Sequence, residues 1–180
     1  MANEAPNRRL LLLRHSKTER PEPGQRDRER KLTERGRSDA PVVGAYMARH
    51  HLIPDFVLVS PAMRTRETWA LVAGAFSSAP QVLSEPRIYN ATGDTLADII
   101  REAGDASTLL LVGHNPGLHD LALQLIGFGE VEALESLNEK LPTSGLVVIG
   151  FALDDWALLH DATGRLERFV GPRQIKQNGD

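Results

Sequence analysis

The sequence contains no cysteine, and this absence excludes several chemistries. Disulfide bonds, thiolate nucleophiles and cysteine-ligated zinc are ruled out, whereas the redox compartment is left open. A Gly-rich phosphate loop is also missing, which disfavours a kinase driven by a nucleoside triphosphate. The net charge is only −3, so nothing in the total charge predicts a nucleic-acid partner.

Apolar runs long enough to span a membrane are absent as well. The run Leu10–Leu13 is interrupted by Arg14 and is too short for the core of a signal peptide. We therefore expect a cytoplasmic protein with no membrane partner. The 180 residues suit a single domain over 1–180, with loose ends at 1–8 and 172–180.

Short apolar runs predict strands buried on both faces, which is typical of an α/β fold with a doubly wound sheet. The three clearest runs cover about 9–14, 55–60 and 109–113. Charged or imidazole side chains follow them: Arg14 and His15 after the first, Arg64 after the second and His114 after the third. Because ligands of such sheets bind outside the carboxyl ends of the strands, we expect these four residues to meet in one crevice.

Helix starts are also predicted. Thr33 is expected to cap a helix that ends near His50, with Pro41 marking a kink or the true start. The pairs Ser60-Pro61 and Asn115-Pro116 each resemble a cap followed by proline at the first helical position.

The last third of the chain gives weaker signals. Residues 81–84 suggest a short strand, and 127–141 are expected to be irregular or part-helical. The apolar runs 145–153 and 156–160 flank Asp154-Asp155, which predicts a hairpin with its turn at the two aspartates.

Two arginines and two histidines at one site form a cationic set, which is electrostatically unfavourable unless an anion binds there. The planar guanidinium suits phosphate oxygens, so a phosphoryl group is the natural guest. Without a cysteine or a metal cluster, one of the histidines is the best nucleophile. The other groups would neutralise charge on the phosphoryl oxygens, which is the main task in phosphoryl transfer.

Four motifs, in order along the chain, resemble those of the histidine phosphatase (phosphoglycerate mutase-like) superfamily. They are Leu12-Leu13-Arg14-His15, Leu32-Thr33-Glu34-Arg35-Gly36, the segment from Ser60-Pro61 through Arg64 to Thr68, and Gly113-His114-Asn115-Pro116. The short length, Ile88-Tyr89-Asn90-Ala91 and Leu141-Pro142-Thr143-Ser144 look most like the SixA-type branch, whose named member is a phosphohistidine phosphatase.

The resemblance implies a three-layer αβα sandwich with a mostly parallel sheet. It also implies that His15 is the nucleophile and forms a phosphohistidine intermediate, while Arg14, Arg64 and His114 hold the phosphoryl oxygens. No metal and no cofactor are expected. About forty residues between Thr68 and Gly113 are too few for a cap domain, so we expect an open site that admits a phosphoprotein, with phosphohistidine the plausible substrate.

Two positions depart from the pattern of the superfamily. Ser16 stands where many members have glycine, but its backbone carbonyl can still accept from His15 Nδ1 and fix the tautomer. Larger members carry an acid, usually glutamate, after the second arginine. Glu85 is the nearest candidate, and we expect it to be a surface carboxylate. The SixA-type branch is thought to lack this acid.

Other interpretations stay open at this stage. A small-molecule phosphomonoesterase or mutase of the same superfamily is the main alternative, followed by a non-catalytic phosphate-binding module. A metal hydrolase using His114, His119 and Asp120 is weaker. The polar loop 16–31 is either solvated or a rim that attracts anionic substrates, since nine Lys/Arg face five Asp/Glu over 14–37.

Overall fold

The chain folds as an α/β sandwich, seen in a computed structural model that describes residues 6–179. Within these residues the strands are β1 (Arg8–Arg14), β2 (Phe56–Val59), β3 (Gln81–Ser84), β4 (Thr108–Gly113), β5 (Ile126–Gly129), β6 (Leu146–Phe151) and β7 (Gly164–Val170). The α-helices are α1 (Glu34–Arg49), α2 (Met63–Ala73), α3 (Gly93–Arg101), α4 (Gly117–Leu125), α5 (Val131–Glu139) and α6 (Pro172–Asn178). Short 3-10 turns cover Asp27–Glu29, Pro86–Ile88 and Trp156–Leu158.

One sheet of seven strands organises the fold, in the order β3-β2-β4-β1-β6-β7-β5. The pairs β1–β4, β4–β2, β2–β3 and β5–β7 are parallel, and β6 runs antiparallel to its neighbours β1 and β7. The prediction of a mostly parallel sheet is confirmed. Leu10–Leu13 of β1 are completely buried, because the central strand of such a sheet is covered on both faces.

Helices cover both faces of this sheet. Successive side chains of a strand point to opposite faces, so Leu10 and Leu12 join one apolar cluster with residues of α3 and α4. Leu11 and Leu13 join the other, with residues of α1. The predicted three-layer αβα sandwich is thereby confirmed. Between α2 and β4 lie only β3, one 3-10 turn and α3, so no cap domain covers the carboxyl edge in the described residues.

Helix α1 begins as predicted. The Thr33 side chain caps it by accepting from Gly36 N at 3.0 Å. Pro41 lies inside the helix and does not mark its start. None of the helices in residues 6–179 is long and apolar enough to cross a membrane.

Near both ends of residues 6–179, backbone that the sequence predicts to be loose is held in place. Residues 172–178, expected to be a loose tail, form α6, which buries Ile175 against the core. Lys176 Nζ lies 2.7 Å from the buried carboxylate of Asp39 on α1. One apolar anchor and one ion pair therefore hold a helix whose composition looks polar. At the other end Asn7 N donates to Phe151 O at 3.0 Å, whereas residues 1–5 and 180 lie outside the described part.

The predicted hairpin after β6 is wrong. Residues 156–158 form a 3-10 turn, and the antiparallel partner of β6 is the later strand β7. The Trp156 indole is buried in the core and its Nε1 donates to Ala106 O at 2.7 Å, so the apolar run serves packing instead of the sheet. Within 127–141 the part-helical alternative is right for α5, whereas the sequence does not predict β5.

Candidate active site

The candidate site lies at the carboxyl ends of three adjacent strands, β2, β4 and β1. His15 follows β1, Ser60 follows β2 and His114 follows β4. The backbone hydrogen bonds of the sheet continue one residue past β1 and β2, since His15 N donates to Gly113 O at 3.1 Å and Ser60 N donates to Val112 O at 3.0 Å. This register brings the two histidine rings to 5.4 Å between centroids.

His15 is a buried imidazole with one nitrogen already occupied. Its Nδ1 lies 2.8 Å from Ser16 O, and because a carbonyl only accepts, Nδ1 carries the proton. The interaction expected for Ser16 is therefore present. Burial lowers the pKa of His15 to about 4, with the positive charges of Arg64 and Arg14 acting in the same direction. The ring is neutral near pH 7, and its Nε2 keeps a free lone pair.

The turn that carries His15 is braced by buried hydroxyl groups. Ser16 N donates to Thr68 Oγ1 at 2.9 Å, and Thr68 Oγ1 donates to Arg64 O at 2.7 Å on α2. Ser16 Oγ lies 2.5 Å from Ser144 Oγ, and both side chains are buried. Ser16 thus makes a side-chain hydrogen bond that a glycine at this position would lack.

His114 is held by a residue for which the sequence predicts another role. Ser60 Oγ lies 2.6 Å from His114 Nε2 and is fully buried, whereas Nδ1 of the ring is buried without a hydrogen-bond partner among the described residues. Burial lowers the pKa of His114 to about 3, followed by the charge of Arg64. Both imidazoles are therefore neutral, and the arginines supply the positive charge of the site.

The two predicted proline-led caps do not form. Helix α2 begins at Met63 and α4 at Gly117, so neither Ser60 nor Asn115 is at a cap position. The extra residues between strand and helix free both side chains: Ser60 turns to His114, and Asn115 Nδ2 donates to Leu141 O at 2.9 Å. Local Ser-Pro and Asn-Pro signals cannot reveal this, because both partners come from distant segments.

The two arginines of the site come from different elements, Arg14 from the end of β1 and Arg64 from the start of α2. Arg14 Nη1 donates to Leu141 O at 3.0 Å, its buried Nε has no hydrogen-bond partner among the described residues, and burial lowers its pKa. Arg64 lies in the first turn of α2, as predicted, and is 5% exposed. Both guanidiniums lie close enough to lower the pKa of His15 and of His114. The structure therefore brings together all four residues that the sequence predicts.

The loop 16–31 adds a residue that sequence reasoning misses. Asp27 accepts twice from Arg64: its carbonyl oxygen from Nη1 at 2.8 Å and its Oδ2 from Nη2 at 3.0 Å. Tyr89 OH donates to the same Oδ2 at 2.5 Å, and Arg30 Nη1 donates to Oδ1 at 3.1 Å. Asp27 is one of several alternating charges in a polar loop, so only its contacts distinguish it.

Glu85, expected to be a surface carboxylate, is partly buried and forms an ion pair with Arg87. Its side chain is 12% exposed and pairs with Arg87 at 3.0 Å. Hydrogen bonds from Arg87 lower the pKa of Glu85, which keeps the carboxyl ionised near pH 7. No bond joins it to the four predicted site residues within the described part of the chain.

The residues imagined for a metal site are engaged elsewhere. His119 Nε2 donates to Leu137 O at 2.7 Å, and His114 Nε2 faces Ser60. Among residues 6–179, no group of three or more His, Asp or Glu side chains is arranged to hold a metal ion.

Comparison with known proteins gives consistent matches. An uncharacterised protein of Mycobacterium tuberculosis is 35% identical over 164 residues, which cover 89% of this chain and all of the relative. Two solved structures are similar over 92% of the chain. One, from Agrobacterium tumefaciens, is named as a candidate phosphohistidine phosphatase SixA, with 31% identity, 98% of its own chain covered and a TM-score of 0.79. The other, from Nakamurella multipartitia, carries the same designation, with 27% identity, 96% of its own chain covered and a TM-score of 0.78.

The family itself is shown by a model that spans more than half of the chain. The model described as histidine phosphatase superfamily (branch 1) matches residues 10–103, which include Arg14, His15 and Arg64. His114 lies beyond the match, but the strand pairing of β1 with β4 places it beside His15. The chain belongs to the histidine phosphatase superfamily, and its structural relatives support a phosphatase of the SixA-like branch.

Proposed function

We propose that this chain is a metal-independent phosphatase in which His15 is the nucleophile, and that it removes the phosphoryl group from phosphohistidine on a protein. The observation that carries the proposal is the state of His15. Its Nδ1–H is held by Ser16 O, and its pKa of about 4 leaves Nε2 unprotonated at neutral pH. A neutral imidazole with a free nitrogen, flanked by two arginines, suits attack on phosphorus.

In the proposed reaction, His15 Nε2 forms a bond to phosphorus as the bond to the leaving group breaks. The leaving group takes the electron pair of that bond. Arg14 and Arg64 donate to the phosphoryl oxygens, and His114 is a further donor. Water then attacks the phosphohistidine intermediate, releases orthophosphate and restores neutral His15. The proton that water loses leaves with phosphate or solvent.

The choice of a phosphoprotein rests on the openness of the site. No cap domain covers the carboxyl edge in the described residues, and Glu85 is bound to Arg87 instead of being free to protonate an alkoxide. A displayed imidazole is a better leaving group than an alkoxide and can enter an open crevice. The names of the two structural relatives point the same way. A cytoplasmic location is part of this proposal.

The test compares His15→Ala with the unaltered protein. The unaltered protein should release phosphate from an aryl phosphate and from a phosphohistidine carrier protein, and a rapid quench in alkaline denaturant should trap labelled phosphoenzyme, because phosphohistidine is labile in acid. His15→Ala should do neither, whereas replacement of the exposed His160 by alanine should leave both intact. A labelled, active His15→Ala protein would refute the nucleophile. High turnover on a sugar phosphate with the carrier protein untouched would favour the small-molecule alternative.

A further inference from the structure

One carboxylate stands on the solvent-facing side of this strongly basic site. Asp27 is fixed from three directions, by Arg64 of α2, by Arg30 of its own loop and by Tyr89. Arg30 is anchored in turn, because its Nη2 donates to Glu19 O at 3.0 Å. These contacts hold the carboxylate at the solvent-facing wall of the site, and the hydrogen bonds, that from Tyr89 foremost, lower its pKa and keep it ionised.

The position of Asp27 relative to the two histidines is informative. Its negative charge opposes the lowering of the pKa of His114. The side chain of Asp27 is 47% exposed, whereas His15 is only 8% exposed. If His15 attacks in line, the leaving group lies on the opposite side of phosphorus, toward solvent. Asp27 lies at the solvent-exposed edge of the site, where it contacts Arg64 and Tyr89.

Tyr89 completes the wall beside Asp27. Its ring meets His114 edge-on at 5.6 Å between centroids, and the guanidinium of Arg28 stacks over the ring at 4.2 Å. The stacked Tyr89 ring and Arg28 guanidinium are therefore two planar groups beside a fixed negative charge. Such an arrangement suits a planar leaving group that carries an N–H donor.

Resting on the proposed function, we propose that Asp27 determines which leaving group the site accepts. Its carboxylate accepts the N–H of the ring nitrogen that does not carry phosphorus in a phosphoimidazole, and so favours the protonated ring. When the P–N bond breaks, the electron pair goes to the departing nitrogen and the ring leaves as neutral imidazole, with no proton supplied from elsewhere. The same negative charge repels phosphate esters that carry a second acidic group near phosphorus.

The test is the ratio of kcat/KM between substrates, which does not depend on how much of a variant is folded. The substrates are N-phosphoimidazole, p-nitrophenyl phosphate and phosphoglycolate. Asp27→Asn should lower the preference for phosphoimidazole over the aryl phosphate by about tenfold or more, the worth of a charge-assisted hydrogen bond. It should raise relative turnover of phosphoglycolate. Asp27→Glu should keep the original order.

The matched control is Glu22→Gln, which removes one negative charge from an exposed position of the same loop. It should leave both ratios unchanged. The proposal is overturned if Asp27→Asn changes kcat/KM for all three substrates by one factor: a common loss means that Asp27 only positions Arg64, and a common gain means that it only competes with phosphate. Failure of the proposed function is distinct, because the unaltered protein would then turn over none of the substrates through His15.

Discussion

The buried, neutral state of His15 makes a quantitative prediction about stability and pH. In the unfolded chain a histidine titrates near its ordinary pKa of 6.5, whereas in the folded protein the pKa of His15 is about 4. Between these values the unfolded state binds more protons, so stability rises with pH through this window and is lost as the pH falls. Linkage gives about 2 kcal/mol of lost unfolding free energy for His15 between about pH 7 and about pH 5.

The perturbation that isolates this contribution is His15→Asn. The asparagine amide can still donate to Ser16 O, so the turn keeps its hydrogen bond while the titrating ring is removed. The assay is urea unfolding at both pH values, with extrapolation to zero denaturant. On acidification, the free energy of unfolding of the unaltered protein should fall by about 2 kcal/mol more than that of the variant. The absolute stability of the variant at pH 7 does not enter the comparison.

A control separates the buried ring from histidines in general. His51→Asn changes an exposed residue, and its loss of stability between the two pH values should match that of the unaltered protein. If the free energy of unfolding of His15→Asn falls as much as that of the unaltered protein, the fold does not hold the His15 ring neutral. The argument for an unprotonated nucleophile near pH 7 would then fail with it.

Three further predictions concern the surroundings of the site. Ser60→Ala leaves His114 Nε2 without its partner, so kcat for an aryl phosphate should fall by about tenfold, the worth of roughly 1.4 kcal/mol; an unchanged kcat would remove Ser60 from the site. Gly36→Ala would place Cβ 2.3 Å from the backbone oxygen of Lys17, so the turn after the nucleophile must shift. Both Tm and kcat/KM should fall, as thermal melts and initial rates would show. Glu85→Gln should keep kcat/KM within about twofold, and a larger loss confined to alkyl phosphates would identify a proton donor.

The positions of the four predicted residues could be inferred from sequence because each lies at the end of a buried strand or shortly after it. The runs Leu10–Leu13 and 109–112 are too apolar to be anything but central strands, and parallel pairing then fixes which residues share an edge. The polar ends of those runs must meet. This inference uses only local composition and one rule of sheet topology, which is why it succeeds over a wide separation in sequence.

The roles of Ser60 and Asp27 could not be inferred in this way. Ser60 precedes proline and carries an ordinary cap signal, and only the adjacency of β2 and β4 assigns its hydroxyl to His114. Asp27 lies between two arginines, as Glu29 does, so the local sequence does not distinguish the two. It is distinguished by the way its loop folds back, through a bridge between Thr18 and Leu32, across Arg64. Such roles depend on contacts between segments that carry no shared pattern.

The structure also changes the number of positive charges that the sequence suggests for the site. Two arginines and two histidines suggest four positive charges, but both imidazoles are buried and have pKa values well below 6.5. Near pH 7 the charged groups that act on the two imidazoles include Arg14, Arg64 and Asp27, with Arg30 acting on His15 as well. A bound phosphoryl dianion would favour protonation of whichever histidine faces its oxygens, and His15 cannot accept that proton while it attacks. In the proposed reaction, His114 is therefore the imidazole that gains a proton as the anion binds, while His15 is the nucleophile.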